Sequence, residues 1–558
     1  MPRLRLLATT DLHMALHAHD DIADRPVARG LEALAPLIAS ERAGAEASLL
    51  LDNGDLLQGA PMGEWHAREA PDSPHPMLAA MGQIGFDAGT LGNHEFDFGV
   101  DYLAAQIAGA PHPVLCCNIE IDPPLPIRRS IIVERDLGGR PLRIGITGTV
   151  PPRILVWSRH MLEGRCTVRL PWDAVAEEAA AMRSAGADIV VCLSHGGIVP
   201  EGHFEEAGEN SALLIAQTGA VDAIVCGHQH YLFPHPEFPR PGEGIDAQKG
   251  RLAGVPAIMP GSSGSHLGRI DLDLVHDGHW RVAGADVSLL PAPETPPETP
   301  ASLSRHWAEA ARGTAARLSR PVGHTDAPIT TAFALLEDAR ALRLIHAAQL
   351  WGMKRLYDGT LPVLSAASPF KSGGRGGAGH YTDIPAGPVD RRAIADLYPY
   401  ENAFVGIEVT RATLRDWLEM SAGIFATLAP GEVREMILPH RPGFNYDAIA
   451  GVAYAIDLGA EPAFDDHGTP TGHAGRIRDL TFEGRDVKAD DRFIVATNTY
   501  RAGGGGNFPG LPDCPVRVGP DRPVVEILTE YIAAMGTADL PDPSWHLTGP
   551  EGAEGLYL

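Results

Sequence analysis

Apolar residues in the first 230 positions come in short unbroken runs, each ending at a small or polar turn. LRLLA from Leu4, SLLL from Ser48, DIVVCL from Asp188 and DAIVC from Asp222 are such runs. Runs of four to eight apolar residues bounded by turn residues read as strands buried on both faces. Ala-rich stretches with helical spacing lie between them, and this alternation predicts an α/β domain. Five of the strand ends carry side chains that can hold a metal. LRLLATTDLH ends in Asp11 and His13, and SLLLDNGD in Asp52 and Asp55. TLGNHEFD carries Asn93, His94 and Asp97, ADIVVCLSHGG ends in His195, and VDAIVCGHQH ends in His228 and His230. Ligands bind beyond the carboxyl ends of strands in an open α/β sheet, so the pattern predicts five polar strand ends at one edge.

Spacing sharpens this expectation. Asp11 with His13, and His228 with His230, are i, i+2 pairs whose members face the same way on extended backbone. Gly54, Gly92, Gly196, Gly197 and Gly227 flank these residues and permit tight turns. Taken singly, a D-x-H, an H-x-H or a lone histidine has an ordinary structural explanation. Five in succession, each after a strand, do not. Imidazoles with carboxylates suit zinc, manganese, cobalt or iron more than calcium. Four imidazoles, an amide and one or two carboxylates exceed one tetrahedral ion, and match two divalent ions sharing a carboxylate.

Further along, residues 291–300 read PAPETPPETP, which excludes helix and central strand and predicts a stiff linker. A helical stretch from Ser302 to Arg320 follows. The expected organisation is a first domain over 1–290, a linker and connecting helix over 291–320, and a second α/β domain over 321–545. Composition then narrows the field. The 558 residues are 44% apolar and 21% charged, which excludes a disordered chain, a coiled coil and a disulfide miniprotein. A formal charge of −26 excludes a nucleic-acid polymer as the natural partner of most of the surface. Six cysteines with no C-x-x-C pair indicate neither a zinc ribbon nor a redox site. No apolar run reaches the roughly 18–20 residues of a membrane span. The chain enters its first candidate site at Asp11 with no leader ahead of it, so it reads as cytoplasmic as written, and as periplasmic if its start is truncated.

The series D-L-H, G-D, G-N-H-E, S-H-G-G and G-H-Q-H resembles the calcineurin-like metallophosphoesterases, whose two-metal centre sits on a β-sandwich flanked by helices. Order, spacing and a second lobe place the resemblance in the 5'-nucleotidase family, covering roughly residues 3 to 535. The resemblance implies one metal held by Asp11, His13, Asp55 and His230, and another by Asp55, Asn93, His195 and His228. It implies a catalytic pair in which His94 stabilises charge on the phosphoryl group or leaving oxygen and Asp97 orients it. Asp52 has no matching role and is expected to support the turn. His17 and His19 lie beyond the strand end, and His266 belongs at most to the surroundings of the site.

The second lobe carries SPFKSGGRGGAGHYTD with Lys371 and Arg375, DLYPY ending in Tyr400, and TNTYRAGGGGNFPG with Tyr500, Arg501 and Phe508. These read as a pocket of flat aromatic faces, close-approach glycines and cations for anionic groups. In the family two aromatic side chains sandwich a nucleobase. Tyr400 matches the first, and Phe508 matches the second with Tyr500 competing. The second lobe is most similar to bacterial 2',3'-cyclic-nucleotide 2'-phosphodiesterase/3'-nucleotidases, which implies hydrolysis of 2',3'-cyclic nucleotides and 3'-nucleotides. The 5'-nucleotidases and UDP-sugar hydrolases keep the same metals and are the alternative. A nucleotide-binding protein without catalysis is disfavoured by the intact set of ligands with His94 and Asp97.

Overall fold

The computed structural model describes residues 1–556 apart from Glu201, 203–207, 296–298, 374–376, Ala378, Glu401 and Pro439. The chain forms two compact units, one from Met1 to Ala316 and the other from Arg317 onward.

In the first unit, β1 (Arg3–Thr9), β2 (Ala47–Asp52), β3 (Ala88–Thr90) and β4 (Val114–Leu115) run parallel side by side. A second sheet holds β5 (Ser130–Leu137), β6 (Arg140–Thr149), β7 (Ile189–Ser194), β8 (Ala223–Cys226) and β9 (Val255–Pro260). β6 to β9 are mutually parallel, and β5 is antiparallel to β6. The long strands β10 (His266–His276) and β11 (Trp280–Pro291) return to the first sheet, which runs β11-β10-β1-β2-β3-β4.

Strand alternation builds the layers. Leu4, Leu6, Leu49 and Leu51 of the first sheet meet Ile144, Ile146, Val191 and Val225 of the second in one fully buried cluster. Leu7 and Leu50 point the other way, against Leu34 and Ile38 of α1 (Leu31–Ala43). On the far side, Val190 and Cys192 pack on Ala174, Val175 and Ala179 of α2 (Pro171–Ser184). The central strands β1, β2, β7 and β8 are thus covered on both faces, which is why their runs contain no polar alternation. The unit is a β-sandwich flanked by helices, and the fold class expected from the sequence holds.

The stretch expected to connect the lobes is packed into this unit. Leu303, Trp307 and Ala310 are buried in the core around α1, and Gly313 lies so close to Trp65 that a methyl group there would meet the indole at 2.2 Å. The expected helix is broken into Ala301–Ser304 and Ala308–Leu318. Residues 296–298 of the proline-rich stretch lie outside the described residues. The six cysteines are unpaired, and Cys116, Cys117, Cys192 and Cys226 are core residues of the first unit.

The second unit is built on a mixed sheet of β12 (Val363–Ala367), β13 (Phe404–Thr410), β14 (Ala448–Ala450), β15 (Arg492–Asn498) and β16 (Val516–Val518), in the order β14-β12-β15-β13-β16. Helices α3 (Arg340–Leu356), α4 (Arg411–Ala422) and α5 (Val524–Met535) contribute Leu342, Ile345, Trp417 and Leu528 to its single core. Among the described residues, no helix is long and apolar enough to cross a membrane.

Candidate metal centre

Backbone N–H groups tie together the carboxyl ends of β1 and β2, of β6 and β7, and of β8 and β1. Asn53 N–H donates to the Thr9 carbonyl (2.9 Å), Asp11 N–H to that of Gly54 (2.9 Å), and His13 N–H to that of Asp55 (2.8 Å). His195 N–H reaches the Thr149 carbonyl (3.0 Å), and His228 N–H reaches the Asp11 carboxylate (3.1 Å). Asp11, His13, Asp55, His228 and His230 all have φ between 45° and 67°. That left-handed region is costly for non-glycine residues and is typically tolerated where a site demands it. The sequence reasoning that placed i, i+2 partners on extended backbone is therefore corrected. These residues sit in turns just past the strand ends, and His228 and His230 go to different clusters.

Asp11, His13 and His230 form one cluster of ligand atoms within 4.8 Å of one another, and Asp55, His195 and His228 form another. Asn93 Oδ1 lies 2.8 Å from His228 Nδ1, which joins it to the second. One oxygen of Asp55 faces both, 3.1 Å from His195 Nε2 and 3.9 Å from His13 Nε2. The structure thus brings together all seven residues named from the sequence as metal ligands. Asp11, Asp55 and His195 are at most 1% exposed.

Hydrogen bonding on the far side of each ring tests whether cations fit. His13 Nδ1 faces the Gln58 carbonyl (3.0 Å), and His195 Nδ1 faces that of Asn53 (2.6 Å). His228 Nε2 faces the Glu209 carboxylate (3.0 Å). Each of those nitrogens must carry a proton, which in the neutral ring leaves the other nitrogen as a bare lone pair. The lone pair of His195 then points at the Asp55 carboxylate, and that of His228 at the Asn93 amide oxygen. Among the described residues, His195 Nε2 is buried with no hydrogen-bond partner. Lone pairs aimed at oxygens in a buried site are repulsive unless a cation stands between them, so the donor set fits divalent metals. Where no cation stands between them a proton takes its place: burial works against a charged His195 ring, but Asp55 and Asp11 outweigh it and hold it up to about 10, and a bound metal would displace that proton. Burial also opposes the charge on Asp11, yet His195 and His230 bring that carboxylate down to about 2. His13 is pushed down to about 4 by burial and then by His230, leaving a neutral imidazole at pH 7.

Supporting residues that sequence reasoning did not single out complete the site. Glu95 accepts N–H bonds from Gly92, Asp55 (2.9 Å) and Leu56 (2.6 Å), stitching the β2 and β3 turns together. It belongs to the G-N-H-E motif, so its signal was present. Glu209, which orients His228, is itself reached by Arg153 at 3.3 Å, and Trp157 stacks on the His228 ring (centroids 5.1 Å apart). Asp52 accepts from Thr9 Oγ1 (2.8 Å) and Gly54 N–H (3.0 Å), and burial pushes its carboxyl up to about 7, in keeping with a turn-supporting role. His266 pairs with Ser265 Oγ at 3.1 Å and belongs to neither cluster.

His94 N–H donates to Asp55 (2.8 Å), its Nδ1 lies 2.7 Å from Asp97 Oδ2, and its ring stands edge-on to His13 (5.2 Å). Burial opposes the charged ring, but Asp97 and Asp55 outweigh it and push His94 up to about 10. His94 is therefore an imidazolium at neutral pH, beside the clusters and still partly exposed.

Gly92 permits the closest approach in the site. A methyl group there would stand 2.2 Å from Asp55 Oδ1 and 2.7 Å from the His195 ring. Gly92→Ala is therefore expected to displace Asp55 and weaken metal retention by at least tenfold, measured by chelator competition, in a chain whose circular dichroism is unchanged.

In the second unit the picture differs from expectation. Asn498 ends β15 opposite Phe404 at the start of β13, and Thr499 N–H donates to the Ala403 carbonyl (2.9 Å). The segments carrying Tyr400 and Tyr500 therefore meet at one end of the sheet. Tyr400 is 37% exposed, with its ring edge-on to Phe370 at 5.1 Å. Tyr500 is half-buried, with Gly505 lying flat against its ring. Phe508, expected as the second stacking face, is 2% exposed, and the Arg501 guanidinium covers its ring at 3.9 Å. Arg501 is no free cation either. It is buried in a two-pronged pair with Asp447 (2.6 and 3.1 Å), which also accepts from Trp417 Nε1 (2.7 Å). Lys371 is paired with Asp396, and Arg375 lies outside the described residues.

Residues 4–232 match the calcineurin-like phosphoesterase family, and residues 321–513 match the 5'-nucleotidase C-terminal domain. The chain is 34% identical to the trifunctional nucleotide phosphoesterase protein YfkN of Bacillus subtilis, over 98% of its own length but 39% of that protein's. It is also 34% identical to the 2',3'-cyclic-nucleotide 2'-phosphodiesterase/3'-nucleotidase of Salmonella typhimurium, over 91% of this chain and 82% of the relative. A crystal structure of a 5'-nucleotidase precursor from Thermus thermophilus has the same fold, with a TM-score of 0.66 at 20% identity over 98% of this chain and 99% of that one. Paired strand-end clusters, both domains in the same order and a shared third of residues along most of a relative converge: the chain belongs to the calcineurin-like phosphoesterases that carry a 5'-nucleotidase C-terminal domain.

Proposed function

We propose that the chain is a two-metal hydrolase that opens 2',3'-cyclic nucleotides and dephosphorylates 3'-nucleotides. Asp11, His13, Asp55 and His230 would hold one divalent ion, and Asp55, Asn93, His195 and His228 the other, drawn from manganese, zinc, cobalt or iron. The observation that carries the reading is the pair of ligand clusters at the strand ends, with one Asp55 oxygen facing both. When bound, such ions supply the nucleophile from water near neutral pH and offset the charge of the phosphate oxygens.

The protein's own part begins with orientation. The carbonyls of Gln58 and Asn53 and the carboxylate of Glu209 fix three of the imidazoles, so that ligands need no rearrangement. His94, kept protonated by Asp97, presents a fixed positive group beside the clusters. It can stabilise charge building on the phosphoryl oxygens or donate its Nε2 proton to the departing sugar oxygen. No covalent enzyme intermediate is required. In the second unit, Tyr400 and Tyr500 are read as the aromatic pair for the base, because Phe508 has its ring covered.

Parallel assays of 2',3'-cyclic AMP, 3'-AMP and 5'-AMP with added manganese test the proposal. Turnover of the first two, lowered at least a hundredfold in His94→Ala, is the expected result. Turnover of 5'-AMP alone would instead assign the chain the activity of a 5'-nucleotidase or UDP-sugar hydrolase on the same metal centre. Stacking is worth about 1–3 kcal/mol per base. Tyr400→Ala is accordingly expected to raise KM for 3'-AMP by about tenfold while leaving hydrolysis of a base-free phosphate ester unchanged.

A further inference from the structure

His17, His19 and Asp21 form a third cluster of ligand atoms within 4.8 Å of one another, sharing no residue with the two at the strand ends. His17 Nε2 lies 3.2 Å from Asp21 Oδ1, and His19 Nδ1 lies 3.8 Å from the same oxygen. The two rings are 5.6 Å apart and tilted by 57°, so both nitrogens converge on that oxygen without the rings stacking. Among the described residues His17 Nε2 is a buried atom with no hydrogen-bond partner, and the Asp21 side chain is 8% exposed. On the outer side of His19, Nε2 faces Asp24 Oδ1 at 3.6 Å.

The loop is held in this shape by other contacts. Asp20 accepts from the N–H groups of Ile22 (3.1 Å) and Ala23 (3.0 Å), and its second oxygen meets Arg29 at 3.1 Å. Ala18 N–H donates to Glu32 Oε2 at 2.7 Å. His19 and Asp20 pair in turn with Pro26 and Arg25 across a two-stranded ribbon. The three side chains are therefore presented by a hairpin whose backbone and neighbouring charges are already satisfied.

We propose that His17, His19 and Asp21 bind a third, zinc-class divalent ion. Bonds of about 2.0–2.2 Å in tetrahedral geometry place neighbouring donors about 3.3–3.5 Å apart. The His17–Asp21 separation of 3.2 Å is about 0.1 Å short of that, and His19, at 3.8 Å, needs a shift of about 0.3–0.5 Å. Two imidazoles with one carboxylate select zinc, cobalt or nickel over calcium and magnesium. The ion clips residues 17–21, in the loop that joins the ligand turn after β1 to α1, so its role is to stiffen that loop. The proposal does not depend on which phosphoester the enzyme cleaves.

The test counts metal in the full chain after dialysis with low-micromolar zinc, by inductively coupled plasma mass spectrometry. His19→Ala and, separately, Asp21→Asn are each expected to hold one zinc equivalent fewer than the parent, with circular dichroism and phosphoesterase turnover retained. In an Asp55→Asn background, which removes the shared carboxylate at the strand ends, zinc retained by the third cluster is expected to be lost on adding His19→Ala. Metal content equal to the parent in both single variants overturns the proposal. A failure to fold in one variant leaves the other to decide. Loss of turnover in Asp55→Asn with no change in the His19-dependent equivalent separates this site from the proposed catalytic one.

Discussion

Asp55→Asn is expected to lower turnover of 2',3'-cyclic AMP by roughly three orders of magnitude or more, about 4 kcal/mol of transition-state stabilisation. The reason lies in one oxygen. Asp55 Oδ2 faces His195 at 3.1 Å and His13 at 3.9 Å, so a single charge serves both clusters. An amide of the same shape retains the packing but gives up that charge, and it turns either an oxygen or an N–H toward each side. Binding of two like charges close together becomes unfavourable without the carboxylate between them. The expected signature is loss of metal from both clusters together in a chain that still folds, since Asp55 Oδ1 is replaced by an atom that can still accept from His94 N–H. A variant that retains both ions and full activity would refute the shared-ligand assignment. Chelation of the parent by EDTA is expected to reproduce the variant, and manganese to reverse the chelation alone.

His94→Ala is expected to cost about 10²–10⁴ in kcat, the range of one positioned acid. The more discriminating variant is Asp97→Asn. Asp97, with Asp55, holds His94 up to about 10 against the effect of burial. The imidazolium is present below that pKa and lost as pH rises through it. Removing the Asp97 charge and its 2.7 Å contact lowers the pKa toward the ordinary histidine value. The alkaline limb of the kcat/KM profile should therefore move acidward, with activity falling from near-neutral pH upward. Residual activity at low pH should approach that of the parent. An unchanged alkaline limb would remove His94 from the ionisation that controls turnover. The same linkage applies to stability. A raised His94 pKa contributes stability that is full below the unfolded value of about 6.5 and is lost as pH climbs through about 10.

The first unit was largely legible from its sequence because strands buried on both faces leave a simple trace. Val190 and Val191, or Leu50 and Leu51, show no alternation, since neighbours point into two different apolar layers. A polar residue that ends such a run is then conspicuous, and seven of these converge. The strand ends were less legible, because alternation holds only on extended backbone and Asp11, His13, His228 and His230 each lie in a left-handed turn. Glu209 and Trp157 are invisible locally because their relation to His228 is made across long stretches of chain. In the second unit the choice of Phe508 over Tyr500 rested on position in a motif. What covers the Phe508 ring is the Arg501 guanidinium, itself paired with Asp447 54 positions away. Burial set by a distant partner leaves no mark on the local pattern.

The unpaired cysteines have a practical consequence. Burial raises the thiols of Cys116 to about 12 and of Cys117, Cys166 and Cys514 to about 11, with Cys192 and Cys226 pushed well above the usual thiol range. Only the thiolate oxidises or exchanges readily, and at pH 7 almost none of it is available. The protein should therefore survive purification and storage in air without dithiothreitol or mercaptoethanol. Those reductants carry soft sulfur ligands of their own, and omitting them avoids competition for divalent ions at the strand-end imidazoles.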